Sequence, residues 1–317
     1  MKTKNKKDKM TYTRRNFIAK SALLAGSTAL LHGNNFALKA DSFICGDKND
    51  RMPEKRYHIA VCDWMILKRQ NAGAFRLASE IGADGVEVDM GGLGDRETFD
   101  NKLLDPVIRK HFQDEAKKYN LEICSIAMSG FYSQSFAERE TVPLMIRDCI
   151  NTMKLLNVSV AFLPLGVKGD LIKYPELRPV IIERLKMAAE MAEAAGVIIG
   201  IETALDAEGE VKLLDDIGST AVRVYFNFAN ALQQKRNLIS ELQILGKDRI
   251  CQIHCTDVDG VTLENNPRIN MAEVKKTLDK MGWSGWLVIE RSRDANQPHD
   301  IKGNFGANTR FLKSVFQ

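Results

Sequence analysis

The sequence predicts a single-domain α/β fold, a (β/α)8 TIM barrel, over residues 57–317. Three observations carry the prediction. Strand-like apolar runs alternate with helix-like segments eight times, which calls for parallel strands and right-handed crossovers. Eight such units in a stretch of this length match a barrel rather than a doubly wound sheet. No GxGxxG fingerprint follows the first strand, where Trp64-Met65-Ile66 stands instead, so a dinucleotide-binding sheet has no support.

Each element has its own signal. Tyr57–Asp63 is a β-branched and aromatic run, the first strand. Helical spacing over Ala72–Ile81 stops at Gly82. Gly85–Asp89 is the second strand, and Gly91, Gly92 and Gly94 mark a long loop over the barrel mouth. Asp105-Pro106 opens a helix that runs to Tyr119, because proline suits the first helical turn. Leu121–Ala127 is the third strand, residues 129–140 a loop, and Val142–Leu156 a helix. Ser159–Leu165 is the fourth strand, and a long helix over Pro175–Ala195 stops at Gly196. Val197–Glu202 is the fifth strand, followed by a short helix near Val211–Ile217 that stops at Gly218. Val222–Asn227 is the sixth, and the helix Leu238–Leu245 stops at Gly246. Arg249–His254 is the seventh, and Asn270 caps a helix that runs to Met281. Trp286–Glu290 is the eighth. The last helix, Asn304–Phe316, puts Phe305, Leu312 and Phe316 on one apolar face.

Residues 1–40 stand apart. They hold nine of the 45 basic residues and one of the 41 acidic ones, so the remainder carries 36 basic against 40 acidic side chains. Thr13-Arg14-Arg15-Asn16-Phe17 resembles a twin-arginine export motif, and the apolar region Ser21–Leu31 is too short to span a membrane. We therefore expect an export leader over residues 1–40, a flexible linker over 41–56, a periplasmic or otherwise exported protein, and no membrane span in the mature chain. The mildly acidic body offers no phosphate-tracking patch, which argues against a nucleic-acid partner. Six cysteines lack any CxxC pair and fall mostly in or beside strands, so they are expected to be free. Nothing in the sequence decides the oligomeric state, and a homo-oligomer stays open.

The chemistry is expected at the C-terminal ends of the strands, where barrel active sites lie. There the last four strands end in Glu202, Asn227, His254 and Glu290. Period-2 alternation puts Glu202 on the face of Ile198 and Gly200, and Glu290 on the face of Trp286 and Val288. A lone strand-end glutamate is ordinarily solvated, but four potential ligands on consecutive strands converge. Two carboxylates, one imidazole and one amide oxygen suit a divalent cation, Mn, Mg or Zn, which would relieve the repulsion between the glutamates. Of the five histidines only His254 is placed for this, too few for a multi-zinc centre. Glu87, Lys168, Asp257 and Arg291 follow the same geometry as candidates for substrate contact, and Trp64 and Phe131 as apolar walls against a sugar ring.

Ile201-Glu202-Thr203, Tyr225-Phe226-Asn227-Phe228-Ala229-Asn230, Ile253-His254-Cys255-Thr256-Asp257 and Val288-Ile289-Glu290-Arg291 together resemble the motifs of the sugar phosphate isomerase/epimerase family, of the xylose isomerase-like TIM-barrel superfamily. The resemblance covers residues 57–317. It implies one divalent metal held at positions 202, 227, 254 and 290, and a carbohydrate substrate near Asn230. It also implies proton transfer beside a carbonyl through an enediolate, with Glu202 and Glu290 as the catalytic pair. Residue 227 departs from the pattern, since Asn stands where the family usually has Asp. The same glutamate pair would serve a lyase or hydratase on a 3-keto-sugar or related keto-polyol. A non-catalytic carbohydrate-binding barrel is the third reading, motivated by Asn227.

Overall fold

Eight short runs rich in Val, Ile, Phe and Tyr become eight strands, because each is buried on both faces, as parallel strands under a helical layer must be. The strands are β1 (Tyr57–Cys62), β2 (Gly85–Asp89), β3 (Glu122–Ala127), β4 (Val160–Pro164), β5 (Ile198–Glu202), β6 (Val222–Asn227), β7 (Ile250–His254) and β8 (Gly285–Ile289). They pair in sequence order into a closed barrel, all parallel, and β8 returns to β1 from Tyr57↔Gly285 to Val61↔Ile289. This is a computed structural model, and it describes residues 56–317. The expected leader and all of the expected linker except Arg56 lie outside the described residues, as does Cys45. Arg56 is anchored to the barrel: its guanidinium donates to the carbonyls of Trp283, Leu278 and Asp279.

The helices are α1 (Gly73–Glu80), α2 (Pro106–Lys118), α3 (Val142–Leu156), α4 (Arg178–Ala195), α5 (Ala207–Ile217), α6 (Phe228–Gln233), α7 (Leu238–Arg249), α8 (Met271–Met281) and α9 (Ile301–Phe316). The expected cap at Asn270 forms, and Asp105 caps the helix that Pro106 opens. Asp105 accepts from Val107 and Ile108 at the start of α2, and Asn270 accepts from Glu273 at the start of α8. Several boundaries differ from expectation, each for a local reason. Asp206 caps α5 through the Gly209 amide, so that helix starts four residues before Val211. Asp300 caps α9 through Gly303, so that helix starts before Asn304. In both, a glycine in the first turn disguises the start. Pro175–Leu177 is a 3-10 turn ahead of α4. Gly246, with φ 69° and ψ 171°, is non-helical, so the first helical segment of α7 stops there as expected and a second follows across the kink. Four short elements were not expected: the six-residue α6, and 3-10 turns at Lys102–Leu104, at Ser129–Tyr132 inside the expected loop, and at Leu263–Asn265.

Two apolar layers result. The larger one lies between the strands and the helices, where Phe305, Leu312 and Phe316 of α9 are buried as predicted. The smaller fills the barrel with Ala60, Cys62, Phe162, Tyr225 and Val288. Extra residues in two strands set which side chains face inward. Cys124 is bulged against β2, so Ser125 opposes Glu87; Cys251 is bulged against β6, so Gln252 opposes Tyr225. A bulge re-aims the residues that follow it. The one in β7 turns Gln252, and with it His254, into the barrel. The five described cysteines are all free. Among the described residues no helix is long and apolar enough to cross a membrane.

Candidate active site at the barrel mouth

The strand ends bring Glu202, Asn227, His254 and Glu290 into one buried cluster. Asn227 is its hinge. Its Nδ2 donates to Oε2 of Glu202 at 2.8 Å and to Oε2 of Glu290 at 3.2 Å. Its Oδ1 accepts from the Ala229 amide at 2.8 Å, because Asn227 is also the N-cap of α6. His254 lies beneath. Its Nδ1 is 3.1 Å from Oε2 of Glu202, and its Nε2 is 3.0 Å from Oε1 of Glu87.

Glu87 is thus part of the cluster, on the floor of the mouth. It is fully buried, and its Oε2 accepts from Ser125 at 2.5 Å and from Tyr225 at 2.6 Å. Burial pushes its pKa up, but His254, Ser125 and Tyr225 outweigh that and hold it below the usual carboxylate range. Burial likewise disfavours charge on His254. The surrounding Glu290, Glu87 and Glu202 more than compensate, and its pKa stands well above the ordinary imidazole value. Burial, then the charge of Glu202, raises the pKa of Glu290. Tyr132 donates its hydroxyl to Oε1 of Glu290 at 2.8 Å. Glu202 differs: its Oε1 has no hydrogen bond to any described residue and opens toward the cleft.

The cleft has two chambers. One, of about 500 Å³, is bordered by Glu290, Trp64, Arg69, Ser129 and Arg291, with Gly92 and Gly94 of the glycine loop at its edge. The other, of about 250 Å³, is bordered by Glu202, Thr203, Asn230 and Lys173. Tyr132 lines both.

Among the candidates for substrate contact, Trp64 and Arg291 border the Glu290 chamber, and Asn230 borders the Glu202 chamber while its amide donates to the Thr203 carbonyl. Lys168 is exposed on the loop after β4. Asp257 is buried, accepting from Asn266 and pairing with Arg268 in the loop that leads to α8. Phe131 is a correction. It packs into the outer core against Phe99 and Phe136, and its neighbour Tyr132 supplies the aromatic wall. Sequence reasoning missed Cys62, Ser125, Tyr132 and Tyr225. Tyr225 carried a usable signal, since it lies two residues before Asn227 and so shares its face.

The expected metal meets an obstacle in the donor set. Asn227 was expected to ligate through its carbonyl oxygen, but that oxygen accepts from Ala229 and the N–H side faces the glutamates. Cys62, Glu87 and His254 offer three ligand atoms within 4.8 Å of one another. There, however, the thiol is held protonated by burial and by the nearby Glu87 and Glu290, and Glu87 is occupied on both oxygens. The residues as placed do not fit a divalent cation.

Residues 75–315 match the family model described as "Xylose isomerase-like TIM barrel". No curated protein matches the chain by sequence. Solved structures share the fold at low identity. D-psicose 3-epimerase from Clostridium cellulolyticum H10, solved with D-tagatose, is 13% identical with a TM-score of 0.64, over 82% of this chain and 99% of that one. A sugar phosphate isomerase/epimerase from Parabacteroides distasonis ATCC 8503 is 13% identical with a TM-score of 0.64, over 86% and 99%. A 3-keto-D-glucoside 4-epimerase from E. coli is 14% identical with a TM-score of 0.62, over 82% and 100%.

Proposed function

The chain belongs to the xylose isomerase-like TIM barrel family, and from that premise we propose that it is a sugar or keto-sugar epimerase or isomerase working by proton transfer beside a carbonyl. The observation that carries this reading is the division of labour between Glu202 and Glu290. The two carboxylates are linked by one amide, yet each opens to a different chamber of the same cleft. A substrate lying across Tyr132 would present opposite faces of one carbon to them.

Glu202, with its free Oε1, takes the proton from the carbon. The electrons of the C–H bond move onto the carbonyl oxygen and form an enediolate. Glu290, whose burial favours the protonated form, returns a proton to the opposite face and inverts the centre, or to the neighbouring carbon in an isomerisation. The developing oxyanion needs donors, and Arg69 and Arg291 border the space beside Glu290. The similarity to enzymes of free and keto-sugars supports a carbohydrate substrate. The twin-arginine-like segment favours an exported protein and hence an unphosphorylated sugar, which cell fractionation would check.

The test is solvent deuterium incorporation into ketohexoses and 3-keto-glucosides, followed by mass spectrometry. The wild type is expected to place deuterium at the inverted carbon. Glu202→Gln and Glu290→Gln should each lose about a thousandfold in rate while the barrel stays folded. Full exchange in either variant overturns the assignment. Release of water or an alcohol identifies a lyase instead, and no exchange with any sugar that binds leaves a binding barrel.

A further inference from the structure

We infer that this barrel mouth is a metal-free carboxylate centre, closed by protein N–H donors in place of a divalent cation, and that Asn227 is the residue that decides this. The inference concerns the same site as the proposed function but does not depend on which sugar is the substrate.

Donors and acceptors at position 227 decide what the mouth can hold. An aspartate at position 227 would have two equivalent oxygens, one to cap α6 and one to face a cation. Asparagine has one oxygen. The Ala229 amide takes it at 2.8 Å, so the amide nitrogen must face the mouth. Flipping the side chain would set NH2 against the Ala229 N–H and an oxygen against two carboxylates, and both contacts are repulsive. The orientation is therefore fixed from both ends. The two amide hydrogens are spent on Glu202 and Glu290, at 2.8 and 3.2 Å. They lie where a cation bridging those carboxylates would have to sit.

The rest of the centre agrees. Both ring nitrogens of His254 face carboxylate oxygens at 3.0 and 3.1 Å, which leaves neither lone pair directed at open space. Glu87 has a donor on each oxygen, and Tyr132 covers the outer oxygen of Glu290. Cation binding would break at least three of these hydrogen bonds and the α6 cap together. In a site that had evolved to hold a metal, the same carboxylates would be left short of donors.

The experiment uses the full chain, dialysed against chelator, with Mn²⁺ and Zn²⁺ alone as probes. Metal per chain is measured by elemental analysis, affinity by calorimetry, and melting temperature with and without each ion. The wild type is expected to retain no stoichiometric metal and to melt at the same temperature in chelator and in metal. Asn227→Asp should bind at least a hundredfold more tightly. It should melt lower than wild type in chelator, because a further carboxylate now faces two others, and recover when metal is added. Stoichiometric metal in the wild type, or equal affinity in wild type and variant, overturns the inference. If Asn227→Asp fails to fold even with metal, the wild-type measurement alone decides. Since no readout involves sugar, loss of the proposed activity and loss of this inference are separate results.

Discussion

The hydroxyl of Tyr132 reaches Oε1 of Glu290 at 2.8 Å from a 3-10 turn that belongs to no strand. Its effect on the acid is directional. That hydrogen bond lowers the pKa of Glu290 against the upward push of burial. Removing it in Tyr132→Phe leaves the ring against Phe162 and takes away only the donor. A hydrogen bond to a charged group is worth about 1.5–3 kcal/mol, so kcat should fall roughly ten- to a hundredfold. The pKa of Glu290 should rise, moving the alkaline limb of the pH–rate profile upward, with little change in melting temperature. An unmoved limb would separate Tyr132 from the chemistry. This residue also marks where the sequence stops being readable. Glu202 and Glu290 could be placed because period-2 alternation ties a strand-end residue to a buried face, and His254 because it ends its strand at the barrel mouth. Tyr132 sits in an irregular segment where no period applies, and the aromatic side chain beside it is the one that faces the core. Asn227 could be placed, but which end of its amide faces the mouth depends on the Ala229 N–H, a contact set by a helix too short to show a pattern.

At the scale of elements, the site depends on how tightly β4 meets the Tyr132 turn. Gly166, just after β4, lies where an added Cβ would come within 2.4 Å of the Cα and carbonyl oxygen of Tyr132. The Val167 amide then donates to that same carbonyl at 2.9 Å. These contacts are to backbone, so the turn itself must move. Gly166→Ala should displace Tyr132 from Glu290, lower kcat at least as far as Tyr132→Phe, and cost about 1–3 kcal/mol in stability, the range for overpacking. Gly169→Ala is the control, since its Cβ would meet Leu165 at an ordinary 3.5 Å. Steady-state kinetics and urea melts on both variants check this; equal behaviour of the two would remove the steric argument. The order of strands and helices was legible because Gly, Pro and Asx punctuation marks nearly every boundary. The bulges at Cys124 and Cys251 were not, since an extra strand residue leaves the hydrophobic pattern almost unchanged while reversing which residues face inward.

Across the whole barrel, closure traps charge as well as apolar surface. The ends of β1 and β2 bury Asp63 and Asp89 close together, and neither is exposed to solvent. Asp63 accepts from the amides of Gln70 and Asp89, and Asp89 accepts from the amide of Gly91, so both carboxylates hold the loops that lead into the cleft. Burial raises the pKa of Asp89 to about 6, despite the nearby Arg69, and raises Asp63 well above the carboxylate range, with the charge of Asp89 adding to the shift. The sign of the consequence follows from linkage. An unfolded aspartate titrates near 3.9, so below about pH 4 both states hold the proton and the folded state bears no penalty. Between about pH 4 and 6 the unfolded chain ionises while the folded one keeps its proton, and stability falls as pH rises. Above about pH 6 the Asp89 share of the loss levels off, at roughly 3 kcal/mol for a shift of this size. Asp89→Asn keeps an oxygen for the Gly91 amide and removes the charge. Its advantage over wild type should therefore grow as pH rises from about 4 through 6. Urea midpoints at each pH measure the difference directly and cancel the titration of every group that Asp89 does not touch; the easier ionisation of Asp63 in the variant adds to the gap with the same sign. Parallel curves for the two proteins would mean that water reaches the pair. A widening gap would mean that the barrel carries a buried proton beside its mouth at the expense of stability near neutral pH.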